Sequence, residues 1–231
     1  MSDLHHPGNM ADNLSKELMN IYGTLRKHFG HLHWWPGDSQ LEIIVGAILT
    51  QQTSWRNVEK AICNLKNKRL MKLEELAIGG SVIQQAIMPS GYFRQKTKRL
   101  SGIINHILQN HGTLEAFLSQ ETIILRKELL SLKGIGPETA DSILCYAADR
   151  MVFVVDAYTF RILERLGIHD GKRDYHILQK LFHSNLPHDL DLYQDYHAQF
   201  VMLGKEFCRT RPRCGHCPVA SECNYWKQVK M

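Results

Sequence analysis

Four cysteines near the C-terminal end carry the plainest chemistry in this sequence. Cys208, Cys214, Cys217 and Cys223 fall as C-x5-C-x2-C-x5-C within CRTRPRCGHCPVASEC. Four thiolates in one short loop are soft ligands for iron or zinc. The compact spacing suits a cubane 4Fe-4S cluster. Zinc is the alternative, but four-cysteine zinc sites usually come as two separate C-x2-C knuckles, and one is present here. Arg209, Arg211 and Arg213 give the loop a basic edge that could meet phosphates or simply solvate it. The other cysteines, Cys63 and Cys145, lie within helical patterns and are expected in the core.

Two further stretches hold residues suited to chemistry. In LKGIGPETA, Gly134 and Gly136 flank one isoleucine, and Pro137 fits the first turn of a helix, where its missing N–H costs nothing. Backbone N–H groups at such a turn point outward and can bind a phosphate. An ordinary glycine turn between two helices is the competing reading. In VFVVDAYTFR an apolar run stops at Asp156. Asp before a helix is a good N-cap. A capping carboxylate is also held rigidly and keeps one oxygen to spare, so the structural and chemical roles are compatible.

Helices must position these residues. LEIIVGAIL (41–49) is apolar on almost every side and predicts a buried central helix. Val58, Ala61, Ile62 and Leu65 fall at helical spacing, as do Leu100, Ile103, Ile104, Ile107 and Leu108, with Gly112 placed as a C-terminal cap. Leu125, Leu129 and Leu132 predict a helix ending near Lys133. Ala140, Ile143, Leu144 and Ala147 mark the helix after the glycine turn, and Ile162, Leu163 and Leu166 mark one closed by Gly167. MVFVV (151–155) reads as an extended linker, and the first dozen residues as loose. The fold class is all-α.

Bulk properties set limits. The chain has 231 residues, 44% of them apolar, with 28 Lys and Arg against 23 Asp and Glu. That is an ordinary soluble composition with a mild basic excess, which permits a polyanionic partner without establishing one. No run reaches the length of a membrane span. The start lacks a signal peptide or an organelle presequence. A cytoplasmic protein, nucleoid-associated in a prokaryote, with reduced thiols is expected.

The combination of LKGIGPETA, then VVDAYTFR, then a compact four-cysteine loop resembles the helix-hairpin-helix DNA glycosylases of the endonuclease III superfamily, over about residues 30–223. HWWPGDSQLEIIVGAILTQQTSW and KGIGPETADSILCY look most like its 3-methyladenine DNA glycosylase III branch. The resemblance implies two helical domains flanking a DNA-binding cleft. One is a helical barrel over 38–150 carrying the hairpin. The other joins 1–37 to 151–231 and carries the cluster loop. The commonest family spacing has one more residue between the first two cysteines, and some branches lack the cluster.

The resemblance also implies roles. Asp156 matches the catalytic aspartate. Glu138 matches, at the edge of the pocket, the position where bifunctional endonuclease III enzymes have a lysine that forms a Schiff base with the sugar. A carboxylate cannot be that amine, and Lys133 precedes the hairpin and is out of register. Trp34 and Trp55 match aromatics flanking the base pocket, with Pro36 in its wall. The alternative is that these tryptophans and Trp35 fill the domain junction. Gln51 and Tyr92 match side chains that fill the gap left by a flipped base, against the alternatives of a polar helix end and a surface loop aromatic. Lys205 is a candidate to approach the pocket or DNA, or is a plain exposed lysine. Gly134 and Gly136 match the phosphate-binding turn.

The implied activity is monofunctional base excision from damaged double-stranded DNA by a monomer, with alkylated purines such as 3-methyladenine as substrates. Such bases are already cationic and leave readily. Selectivity then needs aromatic faces that favour an electron-poor ring. The alternatives are a bifunctional glycosylase/lyase acting on oxidised pyrimidines, which Glu138 opposes, and a non-catalytic DNA-binding module on the same scaffold. An adenine-mismatch glycosylase would be expected to have a further C-terminal domain.

Overall fold

The computed structural model describes residues 8–230. The chain divides into two compact units, one taking the chain up to Trp34 and from Met151 onward, the other Trp35–Arg150. All regular structure among the described residues is helical, and none of these helices is long and apolar enough to cross a membrane. Helix α1 (Gly8–Phe29) starts inside the stretch expected to be loose, whose earlier residues lie outside the described ones.

The Trp35–Arg150 unit is built around α2 (Gln40–Leu49). Its cap, Ser39, accepts a 3.2 Å hydrogen bond from the Glu42 N–H. Leu41, Ile44, Val45, Ile48 and Leu49 point in several directions and are all buried, as an all-apolar helix requires. Against it pack α3 (Trp55–Asn67) and α6 (Phe93–Asn110), and the short α4 (Leu73–Ile78) and α5 (Gly80–Ala86) pack on α6. The predicted apolar stripes of α3 and α6 face inward. Cys63 does not: it is exposed, because it stands off the Val58–Leu65 stripe. Cys145 is buried as expected. After α7 (Leu114–Leu118) and α8 (Thr122–Ser131) the chain turns into α9 (Pro137–Ser142), which widens into a π turn at Ile143–Ala147.

The other unit packs α1 against α11 (Tyr175–Asn185) and α12 (Leu190–Glu206), with α12 and α13 (Asn224–Lys230) against α10 (Ala157–Leu166). Leu18, Ile21, Leu25, Ile162, Leu163, Phe182, Tyr196 and Phe200 share its core. The segment expected to be a linker is part of that core. Val152–Val155 are all buried, and the Phe153 ring stacks on Phe182 with centroids 3.8 Å apart. An extended run buried on both sides needs no alternation of polar residues, so its sequence carries no periodic signal.

Candidate active-site residues

The glycine turn has the geometry its sequence asks for, but its two glycines serve different ends. Gly134 has φ +88°, the left-handed region that favours glycine, and an added Cβ would run into the Arg99 side chain. Gly136 has φ −96° and ψ 177°, which any residue adopts, and open space where a Cβ would stand. It caps α9, and its carbonyl accepts from the Ala140 N–H at 2.9 Å. Between the two glycines, buried Ile135 plugs the turn into the core.

An ion pair fastens the two helices of the hairpin. Arg126 on α8 donates from Nε to Asp141 Oδ1 at 2.7 Å and from a terminal nitrogen to Oδ2 at 3.0 Å. Asp141, on α9, has no exposed side chain, so the guanidinium fork supplies the counter-charge that its burial requires. Glu138 stands exposed in the first turn of α9, and its carbonyl accepts from Ser142 Oγ at 2.7 Å.

Gln51 follows the end of α2 and supports the same turn. Its amide nitrogen donates to the Gly134 carbonyl at 3.1 Å and to Thr139 Oγ1 at 3.0 Å, while its oxygen accepts from Arg99. Entering a duplex would mean giving up these bonds. Tyr92 is 63% exposed and caps α6 with φ 45° and ψ 29°. A left-handed backbone in a non-glycine residue costs about 1–2 kcal/mol, the kind of strain that collects at functional loops.

Both loops hang on a residue not anticipated above. Lys96 is 1% exposed, and its Nζ donates to the Leu49 carbonyl at 2.8 Å and to the Ser90 carbonyl at 2.6 Å. Burial and the nearby Arg99 pull its pKa down to about 8. The ammonium thus ties the end of α2, which leads into Gln51, to the turn that leads into Tyr92. The signal was present, since Lys96 lies one helical turn before Leu100 on the buried stripe of α6.

The aromatics separate by unit. Trp55, at the start of α3, meets Trp35 edge-on with centroids 5.3 Å apart, and Trp35 also packs on Tyr146 at 5.4 Å. Gly46 leaves room for Trp35, since a Cβ there would stand 3.1 Å from its Nε1. Pro36 is exposed. Trp34 is half-buried in the other unit, where Lys205 Nζ, from the last turn of α12, lies 5.4 Å from its ring centroid. A cation over an indole face holds both side chains in place.

Asp156 is the N-cap of α10 and is 8% exposed. Its Oδ1 accepts from the Thr159 N–H at 2.7 Å and from Thr159 Oγ1 at 2.8 Å, and Thr159 Oγ1 in turn accepts from the Asp156 N–H. This capping box fixes the carboxylate and commits one oxygen. The second, Oδ2, faces His197 Nε2 of α12 at 3.8 Å. His197 is a second residue that sequence reasoning missed; nothing in DYHAQF distinguishes it from a core histidine.

The four cysteines line an apolar hollow together with Leu166, Leu203, Val219 and Tyr225. Arginines of α10 pin the loop: Arg161 Nε donates to the Cys208 carbonyl at 2.8 Å, and Arg165 donates to Cys208 Sγ at 3.3 Å and to the Arg209 carbonyl at 2.7 Å. The apolar hollow and its four thiols fit a polynuclear cluster, in which each thiolate takes a different iron. Burial first, and then the neighbouring cysteines, push the Cys217 thiol up to about 11 against a backbone hydrogen bond that lowers it, so the site favours thiolates only with a cation present.

Residues 45–188, which include the hairpin and Asp156, match the model of the HhH-GPD superfamily base excision DNA repair proteins. The chain belongs to that superfamily. A protein of Methanocaldococcus jannaschii whose name places it among the DNA repair glycosylases is 44% identical over 93% of this chain and 99% of its own length. Endonuclease III of Bacillus subtilis is 26% identical over 80% of this chain and 81% of its own length. The crystal structure of Helicobacter pylori 3-methyladenine DNA glycosylase, MagIII, bound to 1,N6-ethenoadenine is 32% identical, with a TM-score of 0.72 over 85% of this chain and 97% of that one. An endonuclease III–DNA complex, at 19% identity and a TM-score of 0.77, shares the HhH-GPD fold. This HhH-GPD chain is a base excision DNA glycosylase.

Proposed function

We propose that this glycosylase is monofunctional and releases alkylated purines such as 3-methyladenine from double-stranded DNA. The observation that carries the reading is Glu138, a carboxylate exposed in the first turn of α9, where the lyases of the superfamily require an amine. The likeness to MagIII, a 3-methyladenine DNA glycosylase, supports the substrate class.

A base inside a duplex is out of reach, so the nucleotide is flipped before it is cut. Breaking the N-glycosidic bond builds positive charge on the sugar. Asp156, held by its capping box, faces that charge with Oδ2 and orients the attacking water. Trp34 and Trp55, with Pro36 and Glu138, are assigned to the damaged base. Gly134 and Gly136 offer backbone N–H groups to a phosphate, and Gln51, Tyr92 and Lys205 are assigned to DNA. Cys208, Cys214, Cys217 and Cys223 would hold a 4Fe-4S cluster, whose iron–thiolate bonds would brace the loop.

The test uses duplexes carrying one defined lesion each. The expected result is base release from the 3-methyladenine duplex, a strand that breaks only after alkali, and no covalent trapping by borohydride. Efficient trapping of the wild type would move the protein to the bifunctional class of its endonuclease III relatives. Binding without base release from any lesion would leave a DNA-binding module. About four irons per chain and no zinc in the loop are expected from the purified protein.

A further inference from the structure

We propose that His106, His111 and Glu128 form a zinc site in the Trp35–Arg150 unit, separate from the cysteine loop. His106 lies in the penultimate turn of α6, His111 just past its end, and Glu128 on α8. One ligand atom from each lies within 4.8 Å of the other two. Both imidazoles present Nε2 to the same carboxylate oxygen, Glu128 Oε1, that of His111 at 2.6 Å.

The surroundings complete the site. The Asn110 amide nitrogen donates to the His106 carbonyl at 3.1 Å and lies 3.1 Å from His106 Nδ1, which holds the ring in place. Gln120 donates to Glu128 Oε2 at 2.7 Å, fixing the carboxylate from its far side. The Phe117 ring packs on both imidazoles, with centroids at 6.3 and 5.2 Å. The three side chains remain about one-fifth exposed, which leaves a way in for an ion and a place for a water as fourth ligand.

Two imidazoles and one carboxylate select a borderline transition metal over calcium or magnesium, which prefer oxygen ligands throughout. Three protein ligands with room for a fourth suit tetrahedral zinc. Such an ion joins residues 106 and 128 across α7 and fixes α8, which runs directly into the Gly134 turn. Its role is structural: it is a clamp on the helix that delivers the hairpin.

The test is equilibrium dialysis of the iron-loaded protein against micromolar zinc, followed by elemental analysis. About one zinc per chain is expected, with the iron unchanged. His111→Gln and Glu128→Gln, which keep hydrogen-bonding side chains of similar size, should lose the zinc and keep the iron. Zinc K-edge absorption on the wild type gives the ligands without any substitution, and nitrogen and oxygen scattering is expected. No zinc uptake by the wild type, equal uptake in both variants, or sulfur scattering from the bound ion would each overturn the site.

Discussion

His197 Nε2 lies 3.8 Å from Asp156 Oδ2, beyond hydrogen-bond reach, while Oδ1 of the same carboxylate is fully engaged by Thr159. Burial lowers the His197 pKa below its usual value, more than the attraction of Asp156 raises it. At neutral pH the imidazole is therefore uncharged. Asp156→Asn keeps the cap, because asparagine caps helices as well as aspartate does. It should leave the melting temperature nearly unchanged and DNA binding intact, while base release under single-turnover conditions falls at least about a hundredfold. A rate within a fewfold of wild type would remove Asp156 from the catalytic role.

The same histidine makes stability depend on pH. Its folded pKa is depressed, so the unfolded chain binds the proton more readily. Stability is then retained above about 6.5, the ordinary histidine value, and lost as pH falls from there through the folded value. Urea midpoints measured between pH 7.5 and 5 should fall for the wild type more steeply than for His197→Asn. Equal slopes would place the acid sensitivity elsewhere.

Arg126 and Asp141 should show the asymmetry of a buried ion pair. Asp141→Ala or Arg126→Ala leaves one charge without its partner and should cost about 3–5 kcal/mol in denaturant unfolding. The double variant Arg126→Met with Asp141→Leu should recover much of that loss. A double variant as unstable as the sum of the singles would show that the two charges do not act as a pair.

The two hairpin glycines should separate folding from binding. Gly134→Ala forces a left-handed alanine against Arg99 and should destabilise the protein by about 1–2 kcal/mol. Gly136→Asp is free of backbone strain and has open space, so the protein should fold normally. It should nevertheless weaken binding to damaged and undamaged duplexes alike, because its charge opposes the phosphate. Weakening confined to damaged duplexes would mean that the turn reads the lesion instead.

Much of this was legible in the residues because it depends on local rules. The glycine hairpin, the Asp156 cap, the closing glycines at 112 and 167 and the stripes of α3 and α6 each follow from spacing or turn chemistry. Leu18, Ile21, Tyr22 and Leu25 carry an equally plain stripe that the sequence reading above passed over. What spacing could not give was partnership at long range. Arg126 and Asp141 are unremarkable charges until α8 and α9 close on each other, and Gln51 reads as a polar helix end until the hairpin carbonyl is beside it. Cys63 shows the opposite failure: one position off the stripe was enough to turn an expected core thiol outward.

The Tyr22 hydroxyl donates to Asp195, and the Tyr196 hydroxyl donates to the Leu18 carbonyl, contacts that join α1 to α12 across most of the sequence. As the chain leaves the ribosome, α1 emerges before α11 and α12 and cannot bury its apolar face until they are made. The intervening Trp35–Arg150 stretch carries its own core and can close while synthesis continues. The half of the protein that bears Asp156 and the four cysteines thus forms late, through contacts of high sequence separation that slow folding. During that interval α1 is an amphipathic helix without a partner, and it is the segment of a nascent chain on which a chaperone would be expected to act.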